Sequence, residues 1–490
     1  MSAITCSEMR ALEEAAFAAG ATAEDLMDRA GTAIGRAIAR HHPRAGTAVA
    51  FIGKGNNGGD ALVALSVLAD LGWRIQVRSA GEKIELGVLP RRKLRALEGR
   101  LGSGTIAGAA PLVLLDGLLG IGARGPIREP LSDLAGEMET LRREHGAHLV
   151  AIDIPSGVDG DSGEIHPGAL RAELTLTIGV PKRGLLEPSA ANHVGRIELI
   201  PLEELPPPDS GELRLITPHT LGIRPEPRPF DIHKGQAGRV AVIAGGPGAC
   251  GAAILCGHAA LRAGAGLVTV IVPVPVYDQV AAAAPPELMV RPFTSVDDIL
   301  SAGYHALAVG PGLGPVPRPE LIDLVAHSEL PLVLDADGLN QLAAADRLDL
   351  CRPSMILTPH PGEFARLAPD LAGQPPIEAA RAFVSRHPAH LLLKGARSVV
   401  TAPGAPCWVN STGTPGMATA GQGDLLTGVI AALVAGRHAP LPATALAAWL
   451  CGRASERAIS DLGQSVHSLC AGDTLACLGR AFTDWRERSA

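Results

Sequence analysis

Short apolar runs alternate with amphipathic segments along the first part of the chain. The apolar runs lie at 47–53, 111–117, 148–157 and 174–179. Helix-like segments such as 60–71 and 130–144 separate them. Because strands that are buried on both faces are continuously apolar, this pattern predicts a parallel sheet between layers of helices.

The same alternation begins again in the second part of the chain. Its apolar runs lie at 238–246, 266–273, 306–314, 330–340, 354–363 and 390–400, with helices predicted at 251–264 and 424–436. Between the two parts, residues 201–231 are rich in proline and show little periodicity, which is typical of a connector. We therefore predict an α/β protein of two three-layer domains with mostly parallel sheets, at 1–205 and 231–490, joined by a connector at 206–230.

Composition and charge exclude several classes of protein. Aromatic residues make up only 3% of the 490 residues and the net charge is −7, which disfavours a nucleic-acid partner. We expect no membrane partner, because no stretch of about 20 residues has the uninterrupted apolar character of a membrane span. The eight cysteines include no C-x-x-C pair and the first residues show no signal pattern, so we expect reduced thiols and a cytoplasmic location.

Three glycine-rich loops follow predicted strands in the first domain. GKGNNGGD (53–60) opens a helix, DGLLGIGARGP (116–126) follows the next strand, and DIPSGVDGDSG (153–163) follows a third. Glycines let a ligand approach the backbone, and free N–H groups at a helix start attract phosphate. A G-x-G-x-x-G match within 53–58 is weak by itself, and single aspartates are often turn or N-cap residues.

Oxygen-bearing side chains occur in all three loops. Loops that follow parallel strands meet at one edge of a sheet, where ligands bind. Asn57, Asp116 and Ser156 can therefore supply oxygen ligands to a hard or monovalent cation, and Asp153 can accept a proton or a hydrogen bond. The residues alone indicate a phosphate-bearing ligand, with or without a cation.

Taken together, the three loops resemble the N-terminal, epimerase domain of bifunctional NAD(P)H-hydrate repair enzymes over residues 1–205. The resemblance implies a Rossmann-like fold, interconversion of the R and S epimers of hydrated NADH or NADPH, and a bound K⁺. It implies that Asn57, Asp116 and Ser156 hold K⁺ and that Asp153 is catalytic. The implied contacts with the hydrate are Asn56, Asn57, Gly58, Gly59, Asp60, Gly120, Ile121, Gly122, Ala123, Arg124, Gly125, Pro126 and Asp153.

A single carboxylate, Asp424, stands at a predicted helix start in the stretch GTPGMATAGQGDLLTG (413–428). An isolated aspartate there would be a plain N-cap. Here glycines at 413, 416, 421 and 423 clear space for a bulky phosphorylated ligand, and the helix start favours negative charge. We therefore expect Asp424 to take a proton from a substrate hydroxyl.

Other loops of the second domain carry charged or glycine-rich motifs. They are HKGQAG (233–238), GPGLG (310–314), DADGLN (335–340), TPHPGEF (358–364) and KGARS (394–398). With 413–428 they resemble the ribokinase-like NAD(P)H-hydrate dehydratase that depends on ADP or ATP, over residues 215–485. The resemblance implies that the adenine nucleotide, accompanied by Mg²⁺, contacts Lys394, Gly395, Ala396, Arg397, Ser398 and Gly423. It implies that the hydrate contacts Ala253, Gly314, His360 and the catalytic Asp424.

Two other functions remain open at this point. One is a vitamin-type small-molecule kinase of the same fold, which would release its phosphorylated product. The other is a protein whose first domain only binds a nucleotide. The sequence leaves open the preference for ADP or ATP, the preference for hydrated NADH or NADPH, and the oligomeric state, including a homo-oligomer.

Overall fold

The computed structural model describes residues 2–80, 85–102, 106, 111–208, 211–223 and 228–488. The chain forms two compact units, Met1–Gly211 and Glu212–Ala490. Part of the predicted connector belongs to the second unit, where residues 213–215 form a strand and residues 218–221 form a short helix. Residues 209–210 and 224–227 of that segment lie outside the described residues.

The first unit is built on a sheet of six parallel strands. They are β1 (Thr47–Ile52), β2 (Arg74–Ser79), β3 (Leu112–Gly117), β4 (His148–Ile152), β5 (Leu174–Ile178) and β6 (Arg196–Ile200). Their order in the sheet is β2-β1-β3-β4-β5-β6. The helices are α1 (Cys6–Ala18), α2 (Ala23–His41), α3 (Asn56–Asp70), α4 (Val88–Leu97), α5 (Leu131–His145) and α6 (Ala191–Val194).

Both faces of this sheet are buried, as the continuous apolar runs predict. Along β1, Ala48, Ala50 and Ile52 belong to a core with α2 and α3. Val49 and Phe51 belong to a separate core with α5. Successive side chains of a strand point to opposite faces, so an apolar strand of this kind requires a helical layer on each side.

The second unit has a sheet of ten strands among its described residues. They are β7 (Leu213–Leu215), β8 (Arg239–Ile243), β9 (Leu267–Val272), β10 (Met289–Pro292), β11 (Ala306–Val309), β12 (Leu332–Leu334), β13 (Met355–Leu357), β14 (His390–Leu393), β15 (Val399–Thr401) and β16 (Cys407–Val409). Their order is β10-β9-β8-β11-β12-β13-β14-β15-β16-β7. Only β15 runs antiparallel to its neighbours. The α/β class with mostly parallel sheets is therefore confirmed in both units.

Helices cover this second sheet. They are α7 (Pro218–Leu221), α8 (Cys250–Arg262), α9 (Tyr277–Ala283), α10 (Val296–Ser301), α11 (Pro319–His327), α12 (Asp337–Ala344), α13 (Pro361–Leu367), α14 (Pro376–Arg386), α15 (Gln422–Ala435), α16 (Pro440–Leu462) and α17 (Ala471–Arg488). Helix α15 is buried along most of its length and packs closely on α8, where a Cβ at Gly428 would lie 2.1 Å from the Cys256 carbonyl oxygen. This contact holds the middle of α15 against α8, and Asp424 lies in the first turn of the same helix.

Among the described helices, none has the length and apolar character that crossing a bilayer requires.

Candidate active sites

The first site lies where the strand order of the first sheet reverses. Strand β2 lies on one side of β1 and β3 lies on the other, so the loops after β1 and β3 diverge and leave a crevice beyond their carboxyl ends. Asn57 spans this crevice, because its Nδ2 donates to the carbonyl oxygens of Leu119 (2.7 Å) and Ile152 (3.0 Å). Its amide therefore ties together the loop after β3 and the end of β4.

Close backbone contact explains one of the glycines in this crevice. A Cβ at Gly53 would lie 2.0 Å from the Leu118 carbonyl oxygen, which is far inside van der Waals contact. At Gly120 a Cβ would meet Asn57 Cβ at 3.4 Å. The loops after β1 and β3 thus touch each other directly after the strands, at the inner end of the crevice.

Asp116 and Ser156 form a buried polar pair beside Asn57. Asp116 Oδ1 accepts from Ser156 Oγ (2.7 Å) and Leu118 N (3.2 Å), and its Oδ2 accepts from Ser156 N (2.7 Å). Burial raises the pKa of Asp116 to about 6, although these hydrogen bonds act to lower it. No ion pair to this carboxylate is found among the described residues.

These residues fit a bound K⁺. A carboxylate, a hydroxyl and an amide oxygen are the hard donors that such a cation takes, and a buried carboxylate without a cationic partner gains most from one. Among the described residues there is no group of three or more His, Cys, Asp or Glu side chains that could hold a metal ion. The donors at Asp116 differ from such a group, because they include one carboxylate together with a hydroxyl and an amide oxygen.

Asp153 follows β4 and is held by the last two residues of β5 and by a residue that follows this strand. Its φ of 65° is left-handed, which is uncommon for a residue other than glycine. Oδ1 accepts from Ile178 N (3.0 Å), from Thr177 Oγ1 (3.3 Å) and from Lys182 Nζ. Lys182 is fully buried, and its Nζ also donates to the Ile178 carbonyl oxygen at 2.9 Å.

Sequence reasoning missed Lys182, because a lysine after a strand is usually solvated. One signal was available: the carboxyl end of β5 reaches the same sheet edge as those of β1, β3 and β4, and Lys182 lies four residues beyond it. A polar residue at that place shares an edge with the three glycine-rich loops.

Two further carboxyl groups surround Asp153. Asp60, in the first turns of α3, is buried, and burial together with the charges of Asp153 and Glu13 raises its pKa well above the usual value. Burial and Asp153 also raise the pKa of Glu13, which lies on α1. From the same helix, Arg10 Nη2 donates to the Ile121 carbonyl oxygen at 3.1 Å. Helix α1, which carried no predicted site residue, thus borders the site.

The remaining predicted contacts with the hydrate differ in their exposure. Gly58 and Gly59 are buried in α3, whereas Asn56 is exposed at its start. The loop after β3 has exposed and half-buried residues in alternation: Gly120, Ile121, Gly122, Ala123, Arg124, Gly125 and Pro126. The structure therefore brings this loop and the start of α3 to one rim.

The second site occupies the equivalent edge of the second sheet. Strands β8 and β11 flank its reversal of strand order, and the loops after β12, β13 and β14 continue the edge. Asp335, directly after β12, is almost fully buried and accepts from Lys394 Nζ (2.7 Å) and Thr427 Oγ1 (2.9 Å). Lys394 Nζ also lies 3.8 Å from Glu363 Oε2. These contacts link β12, β13, β14 and α15.

Asp424 stands beside this network in the first turn of α15. Gly421, the N-cap, has a φ of 91°, and a Cβ at Gly423 would lie 3.4 Å from Lys394 Nζ and 3.6 Å from Asp335 Oδ2. Burial and the negative charge of Asp335 raise the pKa of Asp424 to about 6, while Lys394 acts to lower it. No hydrogen bond to the Asp424 side chain is found among the described residues. Its carboxylate is thus half-buried and available as a base.

His360 caps helix α13. Its Nδ1 accepts from Gly362 N (3.0 Å) and Glu363 N (3.3 Å), and its own N–H donates to Glu363 Oε2 (2.8 Å). Because Nδ1 accepts, Nε2 carries the proton, and it lies 3.3 Å from Glu363 Oε1. The His360 side chain is 50% exposed, so part of the imidazole ring can still contact a ligand.

Gly314 and the nucleotide loop also lie at this edge. Gly314 N donates to Asp337 Oδ2 at 2.7 Å, which draws the loop after β11 to the start of α12. In the loop 394–398, Gly395 and Ala396 are exposed, and Ser398 Oγ bonds to the backbone of Gly395.

Two predicted contact residues are placed away from the surface of the site. Arg397 is only 5% exposed and Ala253 is fully buried in the core against α15. A phosphate contact from the Arg397 guanidinium would need this loop to rearrange. Lys394 and the exposed backbone of 395–396 are the parts of the motif that a ligand can reach.

The chain was compared with known families and proteins. A family model described as NAD(P)H-hydrate dehydratase matches residues 240–476, and a model described as YjeF-related protein N-terminus matches residues 23–184. The bifunctional NAD(P)H-hydrate repair enzyme Nnr of Gloeobacter violaceus is 34% identical, with 92% of each chain covered. The enzyme of the same name from Coxiella burnetii is 34% identical and covers 93% of this chain and 95% of its own.

The chain belongs to the family of bifunctional NAD(P)H-hydrate repair enzymes. This confirms the resemblance inferred from the motifs. The two family models contain every predicted site residue of the chain, and the N-terminal one also contains Lys182.

Solved structures match one part of this repair-enzyme chain. The ADP/ATP-dependent NAD(P)H-hydrate dehydratase from Bacillus subtilis, co-crystallised with ATP/Mg²⁺, covers 56% of this chain and 98% of its own, with 27% identity and a TM-score of 0.48. A ribokinase-like superfamily protein from Enterococcus faecalis covers 56% and 96%, with 23% identity and the same TM-score.

Proposed function

We propose that the chain repairs hydrated NADH and NADPH by two reactions, one in each unit. The first unit interconverts the R and S epimers of the hydrate. The second unit dehydrates the S epimer to NAD(P)H at the expense of ADP or ATP. The dehydratase assignment depends on the surroundings of Asp424. This half-buried carboxylate accepts no hydrogen bond from a described residue, and it lies beside the Lys394–Asp335 ion pair at a helix start that is rich in glycine.

In the dehydratase reaction, Asp424 accepts the proton of the hydroxyl group that hydration left on the nicotinamide ring. The hydroxyl oxygen attacks the terminal phosphorus of the nucleotide, and the bond from that phosphorus to the bridging oxygen breaks. Loss of a ring proton and of the phosphate group then restores the C=C bond. A base with a pKa of about 6 is ionised at neutral pH and remains basic enough to accept this proton.

The surroundings of Asp424 stabilise the phosphate charge. Free backbone N–H groups at Gly421–Gly423 and the start of α15 favour the negative charge that develops during transfer. Lys394 supplies a positive charge beside Gly423. The Mg²⁺ that accompanies the nucleotide enters as part of the substrate. We assign the loop 394–398 and Gly423 to the nucleotide, and Gly314 and His360 to the hydrate.

In the epimerase reaction, Asp153 exchanges a proton with the hydrate while the configuration at the hydroxyl-bearing carbon is lost and regained. Inversion at that carbon requires one of its bonds to break and re-form, and a positioned carboxylate assists this by general acid–base catalysis. The start of α3 and the loop 120–126 would hold the dinucleotide. Asn57, Asp116 and Ser156 would hold K⁺, which supplies positive charge to this edge of the sheet.

The test is recovery of absorbance from a mixture of both epimers of hydrated NADH. With ADP or ATP, the chain is expected to restore the dihydronicotinamide band completely, which needs both reactions. Asp424→Ala is expected to lower the dehydration rate about 10² to 10⁴-fold, the usual effect of losing a general base. Formation of a phosphorylated product without return of the band would instead indicate a kinase. No recovery with either nucleotide would refute the proposal.

A further inference from the structure

We propose that Lys182 is a positioning residue of the epimerase site: it holds one oxygen of the Asp153 carboxylate so that the other oxygen faces the substrate. This inference rests on the proposed epimerase function. No predicted contact of the hydrate or of K⁺ includes Lys182, and its role follows from the contacts of these two side chains.

The two oxygens of Asp153 have different surroundings. Oδ1 accepts three hydrogen bonds, from Thr177 Oγ1, Ile178 N and Lys182 Nζ. Oδ2 accepts no hydrogen bond from a described residue. It is nevertheless not fully buried. The side chain as a whole is 11% exposed. The accessible part of the carboxylate is therefore Oδ2, which is where a substrate proton would be exchanged.

The Lys182 side chain, like Asp153 Oδ1, is fixed by burial and hydrogen bonds. Its side chain has no exposed surface, and its Nζ donates both to Asp153 Oδ1 and to the Ile178 carbonyl oxygen. A buried ammonium group is stable only when it is paired and hydrogen-bonded. The position of the lysine thus allows it to fix the orientation of the Asp153 carboxylate.

The charges around Asp153 make this ammonium group necessary. Cys6 and Glu13 on α1 and Asp60 on α3 interact electrostatically with Asp153, and all three are acidic groups. Lys182 acts on all three groups with the opposite sign, and Arg10 also acts on Glu13. Lys182 is the cation that contacts Asp153 itself, so it offsets the negative charge of a buried site that holds several acidic side chains.

The backbone of Asp153 supports the same conclusion. A φ of 65° is strained for aspartate, and such a conformation persists only where the surroundings determine it. The three hydrogen bonds to Oδ1 join this residue to the end of β5 and to Lys182. They stabilise the left-handed conformation and thereby the direction of Oδ2.

The test compares Lys182→Met with the wild-type chain in conversion of the purified R epimer to the S epimer, followed by chromatography. We expect kcat to fall about 100-fold or more while KM changes little, because the substrate contacts remain. Dehydration of the purified S epimer by the second unit should be unchanged.

Two further variants separate this role from a structural one. Lys93→Met is the matched control: Lys93 lies on α4 in the same unit, where it pairs with Glu24 and Asp28, and its loss should leave kcat unchanged. Lys182→Gln keeps a donor but removes the charge, so it should lower kcat with little change in KM even if Lys182→Met fails to fold.

The possible outcomes distinguish the inference from the function on which it rests. A wild-type chain that dehydrates the S epimer but never converts the R epimer would refute the epimerase function itself. An active wild type together with a Lys182→Gln variant of unchanged kcat and KM would refute only the role of Lys182. An equal fall of kcat in Lys93→Met would also refute it, since the effect would then not depend on contact with Asp153.

Discussion

At the scale of single residues, both sites depend on carboxylates whose chemistry is set by distant parts of the chain. Asp335 is the example in the second unit: it pairs with Lys394, which directly follows β14, and with Thr427 of α15, and its charge acts on Asp424. Neither partner is near Asp335 in sequence. A motif can therefore indicate that Asp424 stands at a helix start, but only the fold shows what determines its proton affinity.

The dehydration reaction should lose activity in acid. Asp424 must be ionised to accept a proton, and its pKa is raised to about 6, so kcat/KM should fall as the pH decreases through about 6. Replacing Asp335 by Asn removes the negative charge that disfavours ionised Asp424, so the acid limb should move to lower pH. Rates measured from pH 5 to 8 on the purified S epimer test both statements. An acid limb that moved upward in this variant would contradict the coupling.

Asp116 gives a second prediction, in which K⁺ binding depends on pH. Its pKa of about 6 means that the carboxyl group is ionised above pH 6, where its burial without a cation is unfavourable to folding. K⁺ should therefore raise the melting temperature of the first unit more at pH 8 than at pH 5, where affinity should be about tenfold lower. The measurement compares the melting temperature in KCl with that in tetramethylammonium chloride at each pH. An Asp116→Asn variant that still responded to K⁺ would exclude this site.

At the scale of elements, the starts of the predicted strands lie closer to the structure than their ends. Helix α15 was predicted at 424–436 and occupies Gln422–Ala435, because its glycine N-cap and apolar body are visible in the sequence. The apolar run 306–314 contains only four strand residues, Ala306–Val309. The remainder of the run, GPGLG, is a loop. Because glycine and leucine occur both in buried loops and in strands, the sequence does not show where the strand ends.

Strand β7 and Lys182 show why other features were missed. Strand β7 has three residues in a proline-rich segment, and it exists because β16 offers a parallel partner. Lys182 is buried because Asp153 lies opposite it across the end of the sheet. Both depend on contacts with residues far away along the chain, which no local pattern reveals. The family and the α/β class are confirmed, whereas the assignment of residues to ligands remains a set of predictions.

The contact between the loops after β1 and β3 can be tested through Gly53. Gly53→Ala would place a Cβ 2.0 Å from the Leu118 carbonyl oxygen, so the loops must separate, and we expect a loss of about 1 to 3 kcal/mol in the free energy of unfolding. Gly55→Ala is the control for stability, because a Cβ there has no atom within 4 Å. Its cost should stay below about 1 kcal/mol, the range of a changed N-cap. Denaturant unfolding measures both. Equal losses would show that the close approach is not the cause.

At the scale of the whole molecule, the residues of each candidate site belong to one unit. The residues around Asp153 come from α1, α3 and the ends of β1, β3, β4 and β5, all of the first unit. Those around Asp424 come from α15 and the ends of β12, β13 and β14, all of the second. Neither set of described residues includes a side chain of the other unit. The two reactions should therefore be separable by single substitutions within one chain.

Complementation between two inactive variants tests this independence. Asp153→Asn should dehydrate only the S epimer already present in a mixture, so recovery of absorbance should stop short of completion apart from slow spontaneous epimerisation. Asp424→Asn should restore almost no absorbance, yet it should still convert the R epimer to the S epimer. Because each variant keeps one intact site, an equimolar mixture of the two should restore complete recovery if the epimers exchange through solvent. Recovery in the mixture that stayed at the level of Asp153→Asn alone would mean that the hydrate is not released between the reactions. The dependence of the rate on protein concentration distinguishes these cases, since exchange through solvent becomes faster when both variants are more concentrated.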